Sequence, residues 1–494
     1  MKILIFGAGN VGVKAAETLA TKNQPVGLVD LLPVETVKSR LRDLRHISFY
    51  QADSLDQARV QEIVDQFNPD VLICAVGTIS LDQDKTHYDQ FKREFEINFT
   101  ANIVPIKAAL PQMIRRRSGQ IIVLSSTSGH HAPHTLASYG PSKWAIENFS
   151  SALAAEVERF GITVESISPT SIQNIHSQAF KIEVGIPAQR VARRIAKAIR
   201  RPKGGGHFVP AQYRLVRLVE RLLPWFLNWR AGLALKRRAR FRGAPLESGL
   251  VTGASSGLGG ELALLYAKKL KKVFLQGRNL KALEELRTKI HQSCPCEVEL
   301  RTCDLSDPAQ VDEFIKNFPP VDVLINNAGF HVQAEVKDTD LALSQRVLQV
   351  NFFAPVRLIK HFLELERRPR KIINILSTTA IFGRSYLSAY SASKGALWCL
   401  TRSVRRLFGN EIQVVEVLPA TFKSNLFNVG VRIESPDRPA QPIYGVEPAA
   451  AEVAAAIVRD VERGREIIFY PKLKGSGILI LECLFPRLIR ILFG

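Results

Sequence analysis

The chain has 494 residues, 46% hydrophobic and 23% charged, a balance that suits folded globular domains and excludes a low-complexity or disordered polymer. That length exceeds one typical core and fits two domains of about 250 residues each. A formal net charge of +21 excludes an acidic protein and leaves nucleic acid, an anionic membrane surface or a merely solvated basic face to account for the excess.

Lys2 to Phe6 is a short buried strand that runs straight into Gly7-Ala8-Gly9-Asn10-Val11-Gly12 and an alanine-rich helical stretch. The apolar start is therefore a first strand, and no signal peptide is expected. In that strand–loop–helix order, Gly7, Gly9 and Gly12 let the backbone turn tightly and approach a pyrophosphate resting on the helix N-terminus. The next strand, 25–29, ends at Asp30. A carboxylate there suits the ribose hydroxyls of NAD and repels the 2′-phosphate of NADP; a strand-ending turn aspartate is the alternative. A strand over 47–50 precedes Asp53, and a buried strand over 71–73 leads to Cys74-Ala75-Val76-Gly77. Asn98 begins a helix that runs from Asn102 to Met113. The strand 121–126 delivers Ser126, Tyr139 and Lys143 open a long helix through Phe160, and 164–168 is the next strand, before Pro169-Thr170. His130, His131 and His134 lack a carboxylate partner and helical spacing, so they are expected in a loop near a substrate mouth, not around a metal. A last strand covers 207–210.

Between Arg190 and Arg242 stand 16 Lys/Arg against one acid, Glu220. Leu215, Leu218, Val219, Leu222, Leu223 and Phe226 recur at helical spacing among Arg214, Arg217 and Arg221, with Trp225 and Trp229 next. An apolar stripe flanked by arginines and tryptophans describes a helix lying in an anionic lipid interface, so no nucleic-acid partner is expected. Residues 243–245 are a linker.

The second half opens with Leu250-Val251-Thr252-Gly253-Ala254-Ser255-Ser256-Gly257-Leu258-Gly259, then a strand over 273–276. Aligning Gly12 with Gly259 sets Gly277 against Asp30, with Arg278 beside it. A missing acid and an added guanidinium favour a 2′-phosphate, hence NADP. Asp304, Asn326-Asn327-Ala328-Gly329, Asn351, Ser377, Tyr390, Lys394 and Pro419 follow in order. Tyr390 and Lys394, four residues apart, share a helix face; a lysine ammonium there is expected to lower the tyrosine's pKa and let it exchange a proton with a carbonyl or alcohol. Ser377 can hydrogen-bond the same substrate oxygen. The apolar run 478–493 is interrupted by Glu482, Pro486, Arg487 and Arg490, which suits an interfacial helix better than a spanning one; a helix capping the subunit or dimer surface is the alternative.

The arrangement occurs twice. Ser126, Tyr139 and Lys143 lie 251 residues before Ser377, Tyr390 and Lys394; Asp53 precedes Asp304 by the same 251, Gly77 precedes Gly329 by 252, and Asn98 precedes Asn351 by 253. A near-constant offset over these landmarks is an internal duplication. The six cysteines show no framework spacing, and Cys294-Pro295-Cys296 lacks the second pair of a zinc site. They are read as reduced thiols of a cytosol-facing protein.

On these residues each half resembles the short-chain dehydrogenase/reductase family, over roughly 1–200 and 248–425. The resemblance implies two tandem doubly wound α/β Rossmann-type domains with mainly parallel sheets, at 1–206 and 246–466. A basic amphipathic segment at 207–245 and an apolar amphipathic tail at 467–494 complete the division. It implies hydride transfer between NAD(P) and a carbonyl or secondary alcohol, with Tyr139 or Tyr390 as general acid in reduction. Ser126 or Ser377 would orient the carbonyl, Lys143 or Lys394 would hold the ribose, and Asn98 or Asn351 would support a water chain. Asp53 and Asp304 stand where the family contacts adenine. Gly253, Ser255, Gly257, Gly259, Asn327, Gly329 and Pro419 fall at its cofactor positions. The first half departs at 74–77, where Asn-Asn-Ala-Gly is usual, and at Thr170, where glycine is usual. NADP is expected in the second half and NAD in the first, with no metal. The expected substrate is lipophilic: long-chain acyl, sphingoid or sterol-like. A 3-oxoacyl group on an acidic carrier, or a membrane-associated nucleotide-binding scaffold with one vestigial site, are the alternatives. The two halves would form a pseudo-dimer, or the chain a homo-oligomer, peripheral on a membrane facing the cytoplasm.

Overall fold

The structure, a computed structural model, describes residues 1–79, 88–132, 137–172, 185–210, 245–422, 430–434 and 448–470. The first sheet contains β1 (Ile3–Phe6), β2 (Val26–Asp30), β3 (Ile47–Gln51), β4 (Val71–Cys74), β5 (Gly119–Leu124), β6 (Ile162–Pro169) and β7 (Gly205–Val209). Their order is β3-β2-β1-β4-β5-β6-β7, with every pairing parallel. Strands such as Ile3–Phe6 and Val71–Cys74 are apolar and buried throughout because helices cover both faces of the sheet.

The second half repeats this with β8 (Ser248–Thr252), β9 (Lys272–Gly277), β10 (Glu297–Thr302), β11 (Val323–Asn326), β12 (Val332–Gln333), β13 (Lys371–Ile375), β14 (Gln413–Pro419), β15 (Val431–Arg432) and β16 (Ile467–Tyr470). The large sheet runs β10-β9-β8-β11-β13-β14-β16, and β12 pairs with β15 beside it. Strand order reverses between β1 and β4, and between β8 and β11. The resulting crevice at the strands' carboxyl ends is where such sheets hold ligands.

Four expectations change. Strand β16 carries the second core through Tyr470, four residues into the range given to the C-terminal tail, because its backbone completes the ladder on β14. The last strand read at 207–210 is present as β7, and its pairing with β6 moves 207–209 out of the range given to the basic segment and into the first sheet. Asn98 does not begin a helix. The helical path starts at Tyr88 and passes through a π turn, Glu96–Thr100, into Ala101–Arg116. The second half has the same device at Gln349–Phe353, and the residue that a π turn adds breaks the 3.6-residue pattern a sequence shows. His130 is not at a loop mouth: it ends up in a short helix, Thr127–His131, buried between Trp144 and Phe208 with ring centroids at 4.6 and 4.9 Å. His134 lies outside the described residues.

The two halves share one continuous hydrophobic core. Its seam is the Tyr139–Val157 helix packed against the Ser388–Phe408 helix, with Trp144 and Trp398 ring centroids 5.2 Å apart. Phe91 and Phe95 of the first half pack in tilted contact against Phe352 of the second, with ring centroids at 5.8 and 4.9 Å. Gly383 permits the closest approach, since a Cβ there would sit 2.0 Å from the Asn148 carbonyl oxygen. Among the described residues no helix is long and apolar enough to cross a membrane. The segments 214–242 and 478–493 lie outside the described residues.

Candidate active site

In the second half a cavity of about 790 Å³ opens at the strand crevice. It is lined by Gly253, Ser255, Gly257, Arg278, Asp304, Asn327, Gly329, Ser377, Tyr390, Lys394 and Pro419, all singled out from the sequence. Gly259 and Asn351 stand behind the wall. A Cβ on Gly259 would meet the Gly253 carbonyl oxygen at 2.2 Å, so glycine here lets the helix that begins at Gly257 sit tightly under the loop. Asn351 is fully buried; its Nδ2 donates to the Phe330 carbonyl (2.7 Å) and to Ser393 Oγ (2.9 Å), and its Oδ1 accepts from the Phe330 N–H (2.8 Å). Its side chain is a brace for the wall.

Ser377 follows β13, and its Oγ accepts from the Thr379 N–H at 3.2 Å. Tyr390 hydrogen-bonds Ser377, and Lys394 Nζ donates to the Ile375 carbonyl (2.8 Å) while standing 5.9 Å from the Tyr390 ring centroid. Burial raises the Tyr390 pKa to about 12, with the Ser377 hydrogen bond opposing. The expected lowering by lysine does not occur. Burial also depresses Lys394 to about 8, which weakens the field it can offer the phenolate. Asn327 Nδ2 donates to the Thr252 carbonyl at 3.0 Å, and Asn326 Nδ2 to Asn374 Oδ1 at 2.8 Å, with Asn374 Nδ2 passing on to Thr401 Oγ1. Asn279, Phe330, His331, Arg346, Arg384 and Leu387 also line the cavity. They sit outside the motifs, and no spacing in the sequence marks them.

The first half assembles the same tetrad with different supports. Tyr139 hydrogen-bonds Ser126, Lys143 Nζ donates to the Leu124 carbonyl (3.2 Å), and Asn98 brackets Thr78 as Asn351 brackets Phe330. Burial raises Tyr139 to about 12 and lowers Lys143 to about 8. Cys74, Ala75 and Val123 stand where the second half has Asn326, Asn327 and Asn374, so the polar ladder behind the loop is absent. Buried Glu94, missed in the sequence, accepts from Ser138 Oγ at 2.6 Å, and its charge favours the protonated forms of Tyr139 and Lys143. Gly7 and Gly9 form the loop after β1, Gly12 sits under it in the first turn of the helix Asn10–Leu19, and a Cβ on Gly77 would lie 3.0 Å from Asn98 Oδ1 and 3.1 Å from Lys143 Nζ. Asp30 accepts from the Ala8 N–H (2.6 Å) and the Leu32 N–H (3.0 Å), tying the glycine loop to the end of β2. Asp53 and Asp304 hold matching turns, each accepting from the N–H two residues on at 2.9 Å. Strand register pairs Phe6 with Val29 and Thr252 with Gln276, so Asp30 and Gly277 occupy equivalent places.

A model of the short chain dehydrogenase family matches residues 1–181 and again 248–431. The chain belongs to the short chain dehydrogenase family. It carries that fold as two tandem copies. Dehydrogenase/reductase SDR family member 7B of Rattus norvegicus is 35% identical over 192 residues, which cover 36% of this chain and 58% of that protein. A fatty acyl-CoA reductase of Acinetobacter baylyi is 34% identical over 161 residues, covering 31% of this chain and 54% of that one. The chain thus spans about three fifths of the length of the SDR family member 7B relatives it matches. An N-terminal ketoreductase from a macrolactin assembly line superposes over 95% of this chain and 86% of its own, at TM-score 0.63 and 14% identity, a likeness of fold that extends across both halves.

Proposed function

We propose that this chain is a nicotinamide-dependent oxidoreductase that interconverts a carbonyl and a secondary alcohol, with the second half as its working site. The observation that carries this reading is the shared cavity. Tyr390, bonded to Ser377 and backed by Lys394, opens into the same space as the glycine loop and Arg278. A nicotinamide dinucleotide fits this donor set, and when bound it supplies or accepts the hydride. Gly253, Ser255 and Gly257 would hold its pyrophosphate at the helix N-terminus, and Arg278 a 2′-phosphate. Tyr390 Oη holds the proton that a carbonyl oxygen takes up on reduction. Ser377 Oγ orients that oxygen, and the Lys394 ammonium favours the phenolate left behind.

A lipophilic substrate is supported by Phe330 and Leu387 in the cavity wall and by the relative described as a fatty acyl-CoA reductase. The basic segment 214–242 would bring the protein to an anionic membrane; the adjoining helix, Ala188–Arg200, exposes Arg190, Arg193, Lys197 and Arg200 while burying Val191, Ile195 and Ile199. For the first half a second reading has its own observation. Loss of the asparagine ladder at Cys74, Ala75 and Val123 favours a partner domain with a vestigial site. Incubating the protein with a lipid extract and NADPH, then identifying reduced products by mass spectrometry, tests the main reading. No reduced product from the extract and no NADPH oxidation with a panel of carbonyl compounds would overturn it.

A further inference from the structure

Across the seam, first-half residues hold the two loops that shape the second cavity. Glu156, near the end of the Tyr139–Val157 helix and 3% exposed, accepts the Val336 N–H through Oε1 at 2.6 Å. The Tyr386 backbone N–H is a further hydrogen-bond donor to the same carboxyl group. Tyr386 has φ +61°, a left-handed conformation uncommon for an aromatic residue, and its carbonyl accepts from the Ala334 N–H at 3.0 Å. Leu387, next in the chain, lines the cavity, and Tyr390 follows three residues later. On the other strap, Phe330 and His331 line the cavity just ahead of Val336.

More first-half groups grip the same straps. Lys107 Nζ donates to the Val336 carbonyl (2.8 Å) and to that of Thr339, and Arg159 pairs with Glu335 at 2.6 Å. Trp144 Nε1 and Asn148 Nδ2 each donate at 2.8 Å to the Ala380 carbonyl, three residues beyond Ser377. At an offset of 251, Glu156 corresponds to Leu407, Trp144 to Gly395 and Asn148 to Cys399. None of these can return the contact, and Leu407 is 47% exposed. The second half reaches the first half's serine loop differently, through Arg402 and Arg406 to the His130 and Ala132 carbonyls.

We propose that Glu156 is a positioning residue for the second active site, so that the first half works as a built-in brace for the loops carrying Phe330, Tyr386 and Leu387. The proposal rests on the reading of Tyr390 as that site's proton donor. The groups facing Glu156 are Arg159 on its own side of the seam, Glu335 on the strap, and Lys107 on the Ala101–Arg116 helix; Lys337 faces Glu335 in turn. Burial, reinforced by the Glu335 charge, raises the Glu156 pKa to about 8. The folded chain therefore keeps this proton to higher pH than the unfolded chain, and stability declines as pH rises from about 4.5 to about 8.

The test uses the full chain and the variants Glu156→Ala, Glu156→Gln and Trp144→Phe, read by peptide-level hydrogen exchange, NADPH binding and steady-state carbonyl reduction. Glu156→Ala should lose amide protection over 330–339 and 384–387. Its kcat should fall about tenfold while NADPH affinity stays within about twofold, one decade being 1.4 kcal/mol. Glu156→Gln, whose amide oxygen still accepts the Val336 N–H, should restore both and abolish the decline of stability between those pH values. Trp144→Phe should loosen the segment around Ala380 on its own. Unchanged protection and kcat in Glu156→Ala would overturn the brace, as would Gln behaving like Ala. If the wild-type chain reduces no carbonyl, the catalytic reading falls, while the exchange data still decide whether Glu156 holds the loops.

Discussion

Tyr390 is subject to two opposing effects. Burial holds its phenol protonated, and the Ser377 hydrogen bond favours the phenolate. A proton donor should be protonated at rest, so a pKa near 12 suits carbonyl reduction. Tyr390→Phe should keep NADPH binding and lower turnover by about 10²–10⁴, the usual worth of a positioned acid. Stopped-flow binding and steady-state assays on the same preparation check this; undiminished turnover rejects the assignment. The lysine adds a pH dependence of known sign. Lys394 is charged below about 8 and neutral above it, so kcat/KM for reduction should fall as pH rises through about 8, long before Tyr390 itself ionises. A profile flat from pH 7 to 10 would show that the ammonium contributes little. Sequence spacing identified both residues and their shared face. It did not reveal the direction of the tyrosine's shift, because burial comes from elements distant in the chain.

Elements were legible to the extent that their pattern is local. The glycine loops, the buried parallel strands and the Tyr–Lys helices all appear as unbroken periodic runs. The π turns at Glu96–Thr100 and Gln349–Phe353 were not legible, since one added residue shifts the apolar stripe in mid-helix. The seam was hidden for another reason. Trp144, Asn148 and Gly383 look like ordinary helix and loop residues until the second half is placed against the first. That seam makes its own prediction. Gly383→Ala would put a Cβ 2.0 Å from the Asn148 carbonyl oxygen, against backbone that cannot swing away. Overpacking of this kind costs about 1–3 kcal/mol. The urea midpoint should drop, with more proteolysis at the loop near Ser377; a midpoint within error of wild type would mean the helices can slide apart freely. Membrane attachment belongs at this scale too. If the basic segment docks on lipid, flotation with liposomes should rise with anionic lipid and fall with salt, each basic residue near the surface adding about 1 kcal/mol. Equal flotation on neutral and anionic vesicles counts against it.

The whole molecule is a duplicated fold whose copies have diverged at their coenzyme ends, and the divergence is testable in the intact chain. Asp30 and Gly277 hold the same place at the end of the second strand of each sheet, and Arg278 follows Gly277 on the exposed rim of its cavity. A carboxylate at that place repels a 2′-phosphate, while a guanidinium offers it a charge-assisted hydrogen bond of about 1.5–3 kcal/mol. Either effect shifts preference by roughly tenfold or more. Asp30 also has structural work, since it ties Ala8 to the strand end, so replacing it would disturb the loop as well as the charge. Among the described residues Arg278 makes no such bond, and it is the cleaner probe. Calorimetric titration of the full chain should find about one equivalent of NADPH and, in its presence, a separate equivalent of NADH. Arg278→Ala should weaken NADPH about tenfold or more and leave the NADH equivalent untouched. Competition of NADH and NADPH for one equivalent, with no second, would instead fit a first half that has lost its nucleotide along with the asparagine ladder and serves the second as a brace.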